Sequence, residues 1–469
     1  MPSADLLTAD PPSDIASRAA RIHGWGGCRR VSVELLEPST TEFLPEAVRR
    51  WRRAGRGVIA RGMGRSYGDA AQLEGGLVVQ MTRCRHFELD RTQGTVTAQA
   101  GVTLGELLGA LVPAGWMLPV VPGTQHVSVA GAIASDIHGK NHARDGSFGS
   151  HVERLGLLTA GGEEVELSPG LSDGLFEATM GGMGLTGLIL WARIRLRPVA
   201  SPLMSVDTDR VSDLDGAFAA LSLPGGAYRV AWLDLLGSPA GRGVVTRAEH
   251  VTQAAAEAAQ AASPANGATV RSLLTVPEGW PQWPLRPGTV RAFNELRFRR
   301  SPKRQRDHVE TIGAHLFPLD ALHAWPRLYG PRGFLQYQLV VPYGEEDVIR
   351  KVIERLGRGR LPCYLAVLKD FGAAAGPPLS FPIPGWTLAM DIPSGVPGLA
   401  DALSYFDELV AGCGGRVYLS KDVRLRSGVL QAMYPRLDEW RETRERADPD
   451  HLWRSDLGLR TGLIGGRAG

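Results

Sequence analysis

Asp136, His138, Lys140 and His142 stand at every other position of one short segment. A carboxylate, two imidazoles and an amine set so closely can hold or pass a proton, and His and Lys do so near neutral pH once burial or a neighbour shifts them. The residues just before them, PGTQHVSVAGAIAS at 122–135, are mostly small. Small side chains let backbone approach a ligand closely, and glycine adds dihedrals that other residues resist. The segment 122–142 therefore reads either as a glycine-rich turn leading into a solvated loop, or as a backbone cradle with chemistry at its rim.

A second candidate lies upstream. Residues 61–69, RGMGRSYGD, place Arg61, Gly62, Gly64, Arg65, Ser66, Tyr67 and Gly68 after a short apolar run at 57–60 that reads as a buried strand. Successive backbone N–H groups in such a loop form an anion-binding nest, and arginine adds charge. It is not a dinucleotide fingerprint, because Tyr67 stands where the third glycine belongs, and no GK[ST] follows to make a Walker loop. Gly182, Gly184 and Gly187 do spell GxGxxG. A helix-like FEATM precedes them and a strand-like LILWARIRL follows, the reverse of the order a Rossmann site requires. They read as a hinge where a helix gives way to a strand.

The elements that must hold these loops are legible in outline. Residues 1–22 read as a flexible leader ending in a short helical patch, and 42–53 as an amphipathic helix with an acidic start and a basic end. Residues 76–81, 94–100 and 152–158 read as strands, 104–112 as a helix, and 159–165 as a hairpin turned at Gly-Gly. The texture changes near 198–205, where a domain boundary is placed. Beyond it come an Ala-rich helix at 254–262 and strands at 334–342 and 365–371. A proline-shaped loop then leads into a further strand within 380–393. Alternation puts Gln336 and Gln338 on one face with Phe334, a face that a strand ordinarily shows to solvent and less often to a pocket. Residues 401–411 read as a helix, and the tail as helical, charge-paired and docked back onto the first domain.

Bulk properties exclude several classes. The 469 residues, 43% hydrophobic and 22% charged, suffice for about two or three domains with sizeable cores. A net charge of +3 gives no field that argues for nucleic acid. Cys28, Cys84, Cys363 and Cys413 have neither zinc-site spacing nor a disulfide framework, which fits a reducing compartment. The N-terminus lacks the basic and apolar regions of a secretory signal, and no run of about 18 apolar residues is long enough to span a bilayer. Cytoplasmic or peripheral membrane placement is expected, on either face. The basic run 297–306, RFRRSPKRQR, reads as a solvated loop or helix face, with contact to lipid headgroups or a phosphate as its functional reading and nuclear localisation, which needs the same composition, as a further one.

Two phosphate-competent loops without a common nucleotide motif suit a ligand with a pyrophosphate and a large flat ring, and FAD is such a ligand. The phrases ARGMGRSYGDAAQ, PGTQHVSVAGAIASDIHGKNH, GSFGSHV, GGMGLTG, GFLQYQ, PLSFPIPGW and AMYPRLDEW closely resemble the decaprenylphosphoryl-β-D-ribose oxidases, within the vanillyl-alcohol-oxidase-like FAD family. The resemblance implies an α+β, two-domain, PCMH-type FAD-binding fold. Its FAD domain would span 15–200 and return at 416–462, and an antiparallel-sheet substrate domain would span 201–415. It implies FAD-dependent oxidation of the 2'-hydroxyl of a polyprenyl-phosphoryl ribose, the first half of an epimerisation toward cell-wall arabinan. A separate NADH-dependent reductase would complete that epimerisation. FAD would be bound non-covalently, and no metal is expected.

By the same resemblance, the 61–69 loop with Gly123, Thr124, Ser128, Gly131, Ser135, Asp136, His138, Ile189 and Tyr418 contacts FAD. Lys140, Trp232, Gln336, Gln338, Lys369, Phe371, Thr387 and Lys421 line the substrate pocket, and His138, Lys421 and Tyr67 serve catalysis. His138 or Lys421 would take the hydroxyl proton. Four positions depart from the family pattern, with Ala389 in place of a cysteine, Thr387 of an asparagine, Val230 of a serine and Leu316 of a tyrosine. These departures leave a soluble sugar, alditol or secondary-metabolite alcohol as an alternative substrate, and a flavin-binding scaffold without turnover as a further one.

Overall fold

The computed structural model describes residues 17–237, 240–252, 254, 267–280, 285–373 and 376–465. Among them the chain forms two sheets near the N-terminus and one large sheet after them, with two short strand pairs at the joins. The first sheet runs Arg18–His23, Arg30–Leu36, Leu77–Gln80, Val58–Arg61, antiparallel in its first pair and parallel thereafter. The second is antiparallel, with Leu188–Arg195 between Thr95–Gln99 and Val152–Leu158. Eight antiparallel strands make the third, in the order Arg304–Thr311, Leu203–Val211, Arg242–His250, Tyr228–Asp234, Leu365–Phe371, Gly385–Pro393, Phe334–Pro342, Arg416–Val417.

Alternation along the central strands of the large sheet decides what it can do. Leu335, Tyr337, Leu339 and Val341, Ala366 and Leu368, and Leu388, Met390 and Ile392 all enter one core. The helices Glu346–Arg358 and Leu399–Gly412 add Ile349, Val352, Leu403 and Phe406 to it. The period of two then turns Gln336, Gln338, Lys369, Thr387, Ala389 and Asp391 to the opposite face. That face meets the two N-terminal sheets. The two glutamines thus face inward, the less common outcome for such alternation, because helices already occupy the other side of the strand.

Most expected elements form. The helix Leu44–Arg53 has Glu46 in its first turn and Arg50, Arg52 and Arg53 in its last. The helix Leu104–Leu111 starts at a capping box between Thr103 and Glu106. The helical patch expected before residue 22 is instead the strand Arg18–His23, whose Ala-rich sequence is overridden by pairing with Arg30–Leu36. Beyond residue 254, the Ala-rich helix expected at 254–262 lies outside the described residues. Gly184 adopts φ +75° between the helix Leu175–Thr179 and the strand Leu188–Arg195, as the hinge reading requires.

The C-terminal segment packs against N-terminal residues. Trp440 donates its indole N–H to the Ala178 carbonyl at 2.8 Å, and Val58 donates its backbone N–H to the Leu452 carbonyl at 2.8 Å. Arg460 spans Asp69 at 2.7 Å and Asp422 at 2.8 Å, tying the end of the 61–69 loop to the segment that carries Lys421. No described helix is long and apolar enough to cross a membrane.

Candidate active site

A cleft enclosing about 1770 Å³ of space free of protein atoms, its open mouth included, runs between the N-terminal sheets and the face of the large sheet that carries Gln336, Gln338 and Lys369. One wall is backbone. Residues 60–67, 122–124, 127–128, 130–131, 134–135 and 183–184 line it. Close packing forces glycine here. A Cβ on Gly68 would lie 1.9 Å from the Asp422 carbonyl oxygen, and one on Gly62 would lie 2.1 Å from Ser128 Oγ. Ser128 accepts from the Gly131 N–H at 3.3 Å and caps the short helix Val129–Ala134. Among the described residues, the backbone N–H groups of 63–66 donate to no protein acceptor, which leaves a run of donors on the cleft. Arg65 lies over the Trp25 ring at 3.7 Å, and burial pushes the Arg61 and Arg65 guanidiniums down to about 10, still charged at neutral pH.

Side chains make the opposite wall. Gln336, Gln338, Leu365, Val367, Lys369 and Ala389 project from adjacent strands, and Lys421 enters from the segment after Arg416–Val417. Lys421 Nζ sits 3.8 Å over the Tyr67 ring. The Tyr67 hydroxyl accepts from Gln336, whose amide also donates to Asp391. The chain has five lysines against forty-seven arginines, and three of the five, Lys140, Lys369 and Lys421, lie half-buried around this cleft. Arginine holds its charge wherever it stands, whereas lysine loses it on burial. Burial pushes Lys369 down to about 7, helped by the Lys140 charge, and pushes Lys421 down to about 7 against the pull of Asp391. It raises Asp391 to about 7. All three are near the point where a proton moves at neutral pH.

A relay fixes His138. The Thr387 hydroxyl donates to the Leu339 carbonyl at 2.8 Å, so toward Gln338 it can only accept. Gln338 Nε2 donates to Thr387 at 3.2 Å and to His138 Nε2 at 2.9 Å. That imidazole nitrogen is therefore unprotonated and occupied. The other, Nδ1, is buried without a partner, and the rings of Phe371, Phe381 and Tyr418 surround the imidazole. Burial first, then the charges of Lys369, His142 and Lys421, hold His138 well below the ordinary histidine range. Its ring lines the cleft, but neither nitrogen is free to reach it.

The FAD binding domain model matches residues 34–168, a span that contains both glycine-rich loops. Decaprenylphosphoryl-beta-D-ribose oxidase of Mycolicibacterium smegmatis is 39% identical over 460 residues, 96% of this chain and 99% of its own. The chain belongs to the decaprenylphosphoryl-β-D-ribose oxidase family. An uncharacterized protein of Streptomyces coelicolor is 38% identical over 77% of this chain and all of its own. The solved structure of BBE-like 1 from Physcomitrella patens shares the fold, with TM-score 0.68 over 96% of this chain and 98% of its own at 15% identity. The α+β fold is the PCMH-type FAD-binding fold, and FAD is the cofactor. The cleft fits it, since the free N–H groups of 63–66 suit a pyrophosphate and a Cβ on Gly123 would meet nothing within 4 Å.

Within this family member the expected flavin-side residues Arg61, Gly62, Gly64, Arg65, Ser66, Tyr67, Gly123, Thr124, Ser128, Gly131, Ser135, Ile189 and Tyr418 all line the cleft. Gly68 and Asp136 stand one layer behind. Gly68 packs on Asp422, while Asp136 accepts from Ser380 and from the Gly149 N–H. Of the substrate-side residues, Gln336, Gln338, Lys369 and Lys421 reach the cleft, and Lys140, Trp232, Phe371 and Thr387 do not. Lys140 donates to the His315 carbonyl, Trp232 lies beneath Arg297, Phe371 packs on His138, and Thr387 acts on Gln338. Among the departures only Ala389 is on the wall. Leu316 is buried in the core beside Ile312 and Phe317. Sequence reasoning missed Asp391, Asp320, Trp25 and Trp325. Asp320 accepts from Thr124 Oγ1 and the Gln125 N–H, both at 2.8 Å, and so fixes the start of the cradle. Two tryptophans set in glycine- and proline-rich loops, HGWGG and AWPRLYG, were the available signal.

Proposed function

We propose that this chain oxidises the 2'-hydroxyl of decaprenylphosphoryl-β-D-ribose, or a close polyprenyl-phosphoryl pentose, to the ketone, using FAD. The observation that carries the reading is Lys421, a half-buried amine on the cleft wall over the Tyr67 ring and within the field of Asp391. Bound FAD supplies the hydride acceptor for the carbinol carbon. Residues 62–66 with Gly123 and Ser128 hold the cofactor, and Gln336 and Lys369 orient the sugar. Lys421 Nζ, neutral above about pH 7, takes the hydroxyl proton. His138 shapes the wall instead, because Gln338 occupies its Nε2 and its Nδ1 is buried.

Residues 15–200 with 416–462 form the FAD domain in this reading, and 201–415 the substrate domain. The ketone product requires a separate NADH-dependent reductase to finish an epimerisation. Ala389 on the cleft wall favours one rival, an oxidase of a soluble sugar or alditol. Alditol oxidase of a Streptomyces species is 27% identical over 38% of this chain. Anaerobic mixing of the yellow protein with the prenyl-phosphoryl ribose should bleach the visible flavin absorbance. Bleaching by alditols but not by that substrate would overturn the proposal in favour of the rival.

A further inference from the structure

Twelve large apolar side chains are exposed among the described residues, and seven of them lie between residues 273 and 319. Leu273 is 79% exposed, Leu274 70% and Phe293 61%. Single exposed apolar residues are ordinary, but such a concentration is not. The same part of the chain carries its charge. Residues 273–319 hold eight Lys or Arg and four Asp or Glu, a net of +4 in a chain whose total is +3, so the remainder is net negative. The glutamates of this stretch are already partnered, Glu278 with Arg327, Glu295 with Arg242 and Arg299, and Glu310 with His315. Arg300, Lys303 and Arg304 make no ion pair with any described residue.

This surface borders the cleft. Leu319 is exposed and also lines the cleft wall. Leu273 donates its N–H to the Ala321 carbonyl at 2.8 Å, and the strand Leu274–Thr275 pairs with Leu322–His323 beside it. On the other flank the helix Pro287–Arg300 sets Arg297 over Trp232, whose register partner Val367 is a wall residue. We infer that the described residues within 273–280 and 285–319 form a docking surface for an anionic lipid bilayer, with Leu273, Leu274 and Phe293 entering the headgroup region and Arg300, Lys303 and Arg304 meeting the phosphates. The inference rests on the lipid-linked substrate proposed above. A prenyl tail anchored in a bilayer can deliver its sugar only if the mouth of the cleft faces that bilayer. Apolar side chains set among unpaired cations are the combination that binds such a surface.

The test uses the full flavin-loaded chain and sedimentation with vesicles of phosphatidylcholine alone or mixed with phosphatidylglycerol. The chain should sediment with the mixed vesicles and stay in solution with the neutral ones. The pair Leu273→Asp and Leu274→Asp should lower partitioning by about tenfold or more. The triple change Arg300→Glu, Lys303→Glu and Arg304→Glu should lower it comparably and remove its salt dependence. Equal sedimentation with both vesicle types, none with either, or wild-type partitioning by both variants would overturn the inference. Flavin bleaching by detergent-dispersed prenyl-phosphoryl ribose is measured on the same preparations. Bleaching without vesicle binding removes the docking surface and leaves the proposed function standing. Vesicle binding without bleaching does the opposite.

Discussion

The flavin-side wall of the cleft is made of backbone, and the sheet-side wall is made of side chains. On the first, residue identity is dictated by space, since a Cβ on Gly62, or on Gly68 in the layer behind it, collides with neighbouring atoms. On the second, many side chains would fit the strand and chemistry selects among them. A backbone wall tolerates little change yet binds one cofactor. A side-chain wall can be altered one residue at a time, so substrate differences within a family collect there.

The sharpest way to break this contrast is at Lys421. Lys421→Met should lower kcat by roughly a hundredfold to ten-thousandfold while the protein stays yellow and folded. An equal loss of bound flavin would show that the residue belongs to the cofactor wall. Gly68→Ala should instead damage the fold, costing about 3 kcal/mol or more from its clash with the Asp422 carbonyl. Thermal unfolding and flavin content, read together, should fall before any change in kcat per bound flavin.

The pH profile refines the same point. The Lys421 amine in the folded protein is held below its ordinary value, so it is protonated below about pH 7 and free above it. Turnover should rise as pH passes upward through about 7, and Lys421→Arg, which keeps its proton throughout, should abolish that limb. Thr387→Val removes the acceptor that orients Gln338 and leaves a buried amide N–H without a partner, at a cost of about 1–3 kcal/mol. The histidine ring should then lose its fixed tautomer, visible in nitrogen NMR of labelled protein, while the rising limb remains. Ala389→Cys should do least. Turnover should stay within about threefold, as a swap of similar small side chains usually allows, but an uncharged maleimide should now label the cleft. Mass spectrometry should find no adduct at that position in the parent chain.

The two walls also differed in how legible they were. Glycines spaced through 61–69 and the small residues of 122–135 point to close backbone approach, although a solvated glycine-rich turn would read the same way. The large sheet was visible as alternation in Phe334–Pro342 and Leu365–Phe371. Which face met the cleft was not visible, since that depends on helices Glu346–Arg358 and Leu399–Gly412 covering the other side. His138 shows the same limit at atomic scale. Its place beside the cradle could be read, but the capping of Nε2 by a glutamine 200 residues away could not. Asp391 carried no local signal, and Leu316 was displaced from the pocket by core packing.

The scarcity of lysine gives the cleft a chemical address. Acylating reagents attack free amines and pass over guanidinium groups, and burial has already brought Lys369 and Lys421 to about 7. Outside the cleft region only Lys303 and Lys351 carry such an amine on a side chain, and both are exposed. A small activated ester used near neutral pH should therefore mark the interior of this protein ahead of nearly all of its surface. Filling the cleft should protect those positions, which makes amine acylation a footprint of ligand binding.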